Sequence, residues 1–299
     1  MSSTYIKTTR RKRRPTIKLD HHVKAVLVSV SFIAIAISTR PAKADPAEAA
    51  RKVRTVVAHR GASAERPENT LAALRRAVEV GATAVEVDVR TSKDGRLFLL
   101  HDATLDRTTD GEGPAKNMTL AELKRLDAGS WMDAKFKGER IPTLAEAAAL
   151  SRGKTVLMLD LKEFGPNYAE AVAGAVRRHG EPRRTIIGAR SVEQARRFRK
   201  LLPESPQMGL VPSPRWIKPF IAAGVETIRL RMAWFKDQPL AVEVHQQGVR
   251  VHLGGSTGTL AETLPLLAYQ PDSLSADDPA RLLATLEKLR QSNDGRERD

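Results

Sequence analysis

The feature that most constrains this chain is an alternation. Short β-branched and apolar runs recur between longer amphipathic stretches. Strands are expected at Thr55–Ala58, Thr83–Val89, Leu97–Leu100, Thr155–Leu161, Thr185–Gly188, Gln207–Val211, Glu226–Leu230, Val249–Leu253 and Ser273–Ala276. Helices are expected at Thr70–Val80, Leu144–Leu150, Tyr168–Arg178, Val192–Leu202, Pro239–Gln247 and Ala280–Leu289. Repetition of this kind builds βα units on a parallel sheet. Only a short turn containing Lys93-Asp94-Gly95 joins Thr83–Val89 to Leu97–Leu100. A parallel crossover needs a dozen residues or more, whereas a tight Asp-Gly turn makes an antiparallel hairpin. Leu97–Leu100 is therefore expected to be the return arm of a hairpin, Val87–His101, on the catalytic face. The other eight strands close a TIM (β/α)8 barrel. Residues 102–142, with a short helix near Leu120–Leu126, are expected as a small insertion that caps this face, since so long a connection in a compact domain usually has a function or a fold of its own.

The ends of the chain fit one such domain. Of the 299 residues, 1–44 hold ten Lys or Arg and one acid, Asp20. That leaves 40 basic and 34 acidic residues after them, so the net charge of +15 belongs largely to the leader. A basic cluster alone points to nucleic acid or a membrane surface. Here it precedes an apolar run of fourteen residues, Ala25 to Ser38. A bilayer span takes ~20 residues, so the run reads as a signal-peptide core, with Ala42-Lys43-Ala44 as its cleavage pattern. Residues 1–44 are expected to be a signal peptide and 45–299 the barrel domain, exported to the periplasm or secreted. Neither nucleic-acid binding nor stable membrane insertion after cleavage is expected. Arg13-Arg14-Pro15-Thr16-Ile17-Lys18 resembles a twin-arginine signal, with Thr16 where that signal is apolar. An uncleaved anchor is the alternative. The chain has no cysteine, so no disulfide contributes. A barrel of ~250 residues is the usual size and buries an adequate core.

Four short stretches lie at expected strand ends, where barrel enzymes carry their chemistry. They are His59-Arg60-Gly61 with Pro67-Glu68-Asn69-Thr70, then Glu86-Val87-Asp88, His101-Asp102 and Asp160-Leu161-Lys162. Glu86 and Asp88 are two apart on a strand, so both face the barrel interior. Two carboxylates in a low-dielectric space repel and lose hydration, and a divalent cation relieves both costs. Asp160 offers a third carboxylate. An all-oxygen set suits Ca2+ or Mg2+ rather than Zn2+. The competing reading is a structural ion network with Arg60 or Lys162. His59 and His101 are the candidate acid–base pair, since imidazole exchanges protons near neutral pH. Arg60 and Lys162 are candidate substrate-binding cations for a phosphate diester. Asn69 or Thr70 is read as the N-cap of the helix that follows, a structural role.

In order along the chain, these motifs resemble the glycerophosphodiester phosphodiesterase family. His59-Arg60-Gly61, Pro67-Glu68-Asn69-Thr70, Glu86-Val87-Asp88-Val89, Lys93-Asp94-Gly95, His101-Asp102, Leu105-Asp106-Arg107-Thr108-Thr109 and Ile141-Pro142-Thr143-Leu144 carry the resemblance. It is dense from about residue 55 to 150 and thin afterwards. It implies a TIM barrel with a small insertion, a divalent metal, and hydrolysis of glycerophosphodiesters to glycerol 3-phosphate and an alcohol. It further implies acid–base roles for His59 and His101, metal binding by Glu86 and Asp88, and phosphate contact by Arg60.

The second half departs from the family. Asp160-Leu161-Lys162 stands where the family has Glu-x-Lys, one methylene or about 1.5 Å shorter in reach. Gly254-Gly255-Ser256-Thr257 stands where it has Trp-Thr-Val-Asn, so an aromatic wall of the pocket is expected to be missing. Ala189-Arg190 replaces a Ser-Phe pair. These changes bear on the alcohol and glycerol pocket more than on the phosphate site. Two alternatives to the leading reading are a lysophospholipase D-like phosphodiesterase and a catalytically impaired phosphodiester-binding homologue.

Overall fold

The structure, a computed structural model, describes residues 45–235 and 239–292. The expected leader lies outside them. The described residues belong to one compact unit.

Nine strands form a single sheet: β1 Thr55–Ala58, β2 Ala84–Thr91, β3 Leu97–Leu99, β4 Val156–Leu161, β5 Thr185–Ala189, β6 Gln207–Gly209, β7 Thr227–Arg229, β8 Arg250–Ser256 and β9 Ser273–Ala276. Eight are parallel and close on themselves in the order β1-β2-β4-β5-β6-β7-β8-β9, with β9 pairing back to β1. The fold is a TIM barrel. β3 is the exception and runs antiparallel to β2, Val89 opposite Leu99 and Thr91 opposite Leu97. The hairpin follows from its turn: Gly95 N–H donates to Ser92 O at 2.9 Å, and Gly95 takes the positive φ, +74°, that favours glycine.

The helices are α1 Pro46–Lys52, α2 Leu71–Glu79, α3 Leu120–Leu123, α4 Leu144–Ser151, α5 Pro166–His179, α6 Val192–Leu201, α7 Ile217–Ala222, α8 Leu240–Gln246, α9 Leu260–Leu267 and α10 Pro279–Gln291. Three of them, α1, α7 and α9, stand beyond the helices expected from periodicity. α7 and α9 contain Pro219 and Pro265, which break the pattern that marks a helix.

Strand alternation divides the apolar residues into layers. Val57, Ala84, Met158, Met208 and Leu210 fill the barrel interior. Val85, Val87, Leu157, Leu159 and Ile187 point outward and pack under α2 and α4–α6. Val56, Ile228, Val251, Leu253 and Leu274 do the same under α7–α10. The outer shell is therefore apolar, and the upper interior is left to polar side chains. Residues 102–142 carry a core of their own around Phe98, Leu100, Leu105, Leu123 and Ile141, so the insertion is a small folded cap and not a loose loop. Gly61, at φ +83°, lets the β1–α2 loop lie on α2: a Cβ there would come within 2.6 Å of Ala73 Cβ.

Candidate active site

The C-terminal ends of the staves hold the residues singled out in the sequence. Glu86 and Asp88 point inward from β2, and Asp160 from β4, its register partner opposite Asp88. All three are buried. Each offers an oxygen, and the three oxygens lie within 4.8 Å of one another. Among the described residues this is the one cluster of its kind.

The carboxylates differ in how they are compensated. Asp160 is the best supplied. Arg190 forks onto it, Nε to Oδ1 at 2.7 Å and Nη2 to Oδ2 at 2.6 Å, and Lys162 Nζ donates to Oδ2 at 2.8 Å. Burial opposes the charge, but Arg190 and Lys162 hold the Asp160 carboxyl below its ordinary value. Asp88 receives Lys162 Nζ at 2.7 Å, Asn69 Nδ2 at 2.8 Å and Arg60 Nε at 3.5 Å. Glu86 receives one hydrogen bond, from the Arg60 backbone N–H at 2.9 Å. Burial first, then the Asp88 charge, push the Glu86 carboxyl up to about 8.

That imbalance tests whether a cation fits. Glu86 is a buried acid short of positive charge, in a cluster of hard oxygen donors at ligand spacing, and a dication answers that demand. The residues fit Ca2+ or Mg2+, with Glu86 and Asp88 the freer donors and Asp160 shared with Arg190 and Lys162. Arg190 also joins two departures that the sequence shows as separate. The short Asp160 and the arginine replacing the aromatic pair are partners in one ion pair.

His59 follows β1, and His101 ends the hairpin. Each has its Nδ1 tied to a carboxylate: His59 to Asp277 Oδ1 at 2.7 Å, His101 to Asp102 Oδ1 at 2.7 Å. With Nδ1–H donating, Nε2 of each ring is left for chemistry. Burial lowers the His59 pKa, but the Asp277 hydrogen bond and the Glu86 charge outweigh it and the net shift is upward. Asp102 is held down to about 2, chiefly by Arg107 and then by His101. Arg107, from the insertion, also grips Glu68 with both terminal nitrogens at 2.8 Å, which ties the cap to the mouth of the barrel. Glu68 in turn receives Arg60 Nη1 at 3.1 Å. Arg60 has φ +57°, a strained value for a residue with a Cβ. It places the N–H on Glu86 and the side chain over Asp88.

Of the two capping candidates, Thr70 takes that role and Asn69 another. Thr70 does cap α2, accepting from Ala73 N–H at 3.3 Å. Asn69 instead locks Asp88: besides donating to its carboxylate, it accepts from the Asp88 backbone N–H at 3.0 Å. His252 faces the interior from β8. Burial, then Arg229, push its pKa down to about 3, so it stays neutral, paired with Ser273 Oγ at 2.9 Å. Asp277 could not be found from spacing, because its approach to His59 exists only once β9 pairs with β1. Gly254 and Gly255 lie within β8. A Cβ on Gly254 would stand 2.2 Å from Ser275 Oγ, and one on Gly255, at φ +91°, would meet nothing within 4 Å. Ser275 Oγ thus fills the place beside Gly254, and open space remains beside Gly255.

A separate cleft of about 640 Å3, lined by Arg152, Arg177, Arg183 and Arg184 among others, opens at the opposite end of β4 and β5. No histidine lines it. No helix among the described residues is long and apolar enough to cross a membrane.

The sequence and the fold have counterparts among known proteins. The sequence pattern of the glycerophosphoryl diester phosphodiesterase family matches residues 59–280. The chain is 35% identical over 239 residues to a glycerophosphodiester phosphodiesterase of Caldanaerobacter subterraneus subsp. tengcongensis, covering 78% of this chain and 98% of that one. It is similar to the crystal structure of a glycerophosphodiester phosphodiesterase from Agrobacterium tumefaciens, with TM-score 0.67 and 31% identity over 77% of this chain and 99% of that one. It also resembles an Oleispira antarctica phosphodiesterase in complex with the product sn-glycerol-3-phosphate, with TM-score 0.72 and 28% identity over 80% and 99% of the two chains. The chain thus belongs to the glycerophosphoryl diester phosphodiesterase family and is, with it, a phosphoric diester hydrolase.

Proposed function

We propose that this enzyme hydrolyses glycerophosphodiesters to glycerol 3-phosphate and an alcohol, using a divalent cation, Ca2+ or Mg2+, on Glu86, Asp88 and Asp160 and the pair His59 and His101 as acid and base. One observation carries the reading: two histidines, each held by a carboxylate at 2.7 Å, stand at the same barrel end as a buried three-carboxylate cluster. The product complex of the Oleispira antarctica relative supports the substrate class.

A bond forms between the attacking water oxygen and phosphorus, and the bond from phosphorus to the alcohol oxygen breaks. One histidine accepts the water proton at Nε2, and the other donates a proton from Nε2 to the departing alkoxide. Asp277 and Asp102 hold the two rings in place, and Asp277 stabilises the charged form of His59. A bound cation would withdraw charge from the phosphoryl oxygens. Arg60 pairs with Asp88, Lys162 pairs with Asp88 and Asp160, and both add positive potential where the phosphate lies.

The reading is tested by product identity. Glycerophosphocholine and glycerophosphoethanolamine are incubated with the protein and followed by phosphorus NMR. Glycerol 3-phosphate with free choline or ethanolamine is expected. Phosphocholine would mean that the other ester bond breaks. Release of choline from lysophosphatidylcholine in preference would favour the lysophospholipase D-like reading, to which the open space beside Gly255 lends support. Binding without turnover would favour the impaired homologue.

Export is proposed as well, with cleavage after Ala44 and a periplasmic or secreted mature protein. Such a cut spares the barrel, since Asp45 is the N-cap of α1, its Oδ1 accepting from Ala47 N–H at 3.0 Å. The mass of the protein recovered outside the cytoplasm checks this: a start at Asp45 is expected, and an intact leader would contradict it.

A further inference from the structure

Most cations of the barrel mouth have a carboxylate to hold. Arg60 has Glu68 and Asp88, Lys162 has Asp88 and Asp160, Arg190 has Asp160, and Arg107 has Glu68 and Asp102. Arg229 has none: among the described residues its guanidinium makes no hydrogen bond or ion pair. It lies at the end of β7 and faces inward, because its neighbour Ile228 belongs to the outer core. Its register partner is the interior His252. Burial works against its charge, and the carboxylates of Asp160 and Glu86 work for it. Arg229 is half-buried, so its guanidinium keeps access to the mouth while holding no carboxylate, and an acid group there would pair with it.

Three features place a ligand beside it. β7 stands four staves from β2, across the barrel from the carboxylates of that strand. Arg190 has a third nitrogen, Nη1, not engaged by Asp160. β8, next to β7, carries no side chain at Gly254, where Ser275 Oγ takes the place of a Cβ, and leaves open space beside Gly255. Two guanidinium groups whose charges repel thus stand at the ends of β5 and β7. With the phosphate seated between the histidines and the carboxylates, a substituent of the diester that extends across the barrel meets Arg229.

We infer that Arg229, supported by Arg190, is a specificity residue that receives an acid group on the alcohol half of the substrate, so that the preferred diesters carry a carboxylate or a second phosphate there. The inference rests on the hydrolysis proposed above and names its substrate class. Guanidinium pairs with either acid group through parallel hydrogen bonds.

The test uses two matched pairs: glycerophosphoserine against glycerophosphoethanolamine, which differ by a carboxylate, and glycerophosphoinositol 4-phosphate against glycerophosphoinositol, which differ by a phosphate. Wild-type kcat/KM is expected to favour the acid-bearing member of at least one pair by roughly tenfold or more, the scale of a charge-assisted contact. The favoured pair identifies the acid group. Arg229→Gln should shrink that ratio at least fivefold, and Arg229→Lys should recover part of it, with melting temperatures confirming that both variants fold. Equal rates within both pairs, or a ratio unchanged in Arg229→Gln, would overturn the inference. Should none of the four diesters yield glycerol 3-phosphate, the hydrolysis reading itself fails.

Discussion

The Arg190 guanidinium grips the Asp160 carboxylate through two parallel hydrogen bonds, at 2.7 and 2.6 Å. Asp160 is thereby both a candidate metal ligand and the best neutralised acid of the cluster. Arg190 and a cation compete for the same two oxygens.

Removing Arg190 separates the two roles. Arg190→Ala should cost about 1–2 kcal/mol in the metal-free protein, less than the roughly 3–5 kcal/mol of breaking a fully buried pair, because Arg190 is partly exposed and Lys162 remains. The same change should tighten Ca2+ or Mg2+ binding by roughly three- to tenfold, since a positive charge leaves the site. Urea denaturation and calorimetric titration read the two effects. Weaker metal binding in the variant would show that Arg190 orients Asp160 rather than competing for it.

Glu86 gives the metal-free protein a pH dependence of definite sign. Its folded pKa, about 8, lies above its unfolded value of roughly 4.3. Between the two the folded state holds a proton that the unfolded state has lost, so stability falls as pH rises from about 5 to 8. Bound metal should reverse the trend, because it binds the ionised carboxylate. Urea midpoints in chelator at pH 5, 6, 7 and 8 should decline in the wild type and decline less in Glu86→Gln. Equal slopes for the two proteins would remove Glu86 as the cause.

The histidines predict kinetics. His59→Ala or His101→Ala should lower kcat by roughly 10²–10⁴ without loss of folding, because both side chains are partly exposed in the mouth. Asp277→Asn removes the carboxylate that raises the His59 pKa. The limb of the kcat/KM–pH profile that reports His59 should then move to lower pH. An unmoved profile would mean that Asp277 only positions the ring.

Much of this was legible in the sequence. The eight staves, the antiparallel return of Leu97–Leu99 and the gathering of Glu86, Asp88, Asp160, His59 and His101 at one end follow from strand period and turn length. What the sequence hid depends on pairing across the barrel. Asp277 is 218 residues from His59, and Arg190 is 30 from Asp160. Their meeting requires the closed sheet. Arg229 looks like any strand-end arginine until the ring places it opposite β2. Asn69 sits where a cap belongs, and only its left-handed φ of +58° turns its amide onto Asp88. β6 and β7, at three residues each, are shorter than expected because apolar runs continue past the last ladder bond.

Asn69 yields a further test. Asn69→Ala leaves the buried Asp88 N–H and one carboxylate oxygen without their partner, at a cost of about 1–3 kcal/mol. Metal affinity should fall as well, by roughly 10–100-fold, since a ligand loses its orienting partner. Denaturation and titration of one sample give both numbers. Wild-type metal affinity in the variant would show that Lys162 and Arg60 suffice to hold Asp88.

The most direct measurement is chelation and readdition of metal, followed on one preparation by glycerol 3-phosphate release and by melting temperature. Turnover should vanish with the metal and the melting temperature should drop. Both should return on adding Ca2+ or Mg2+, with a stabilisation of ~2.7 kcal/mol at a hundredfold excess over Kd, and Glu86→Gln should blunt the response. Turnover and melting temperature that both ignore the chelator would contradict the account, and would leave Glu86, Asp88 and Asp160 as an ion network closed by Lys162, Arg190 and Arg60.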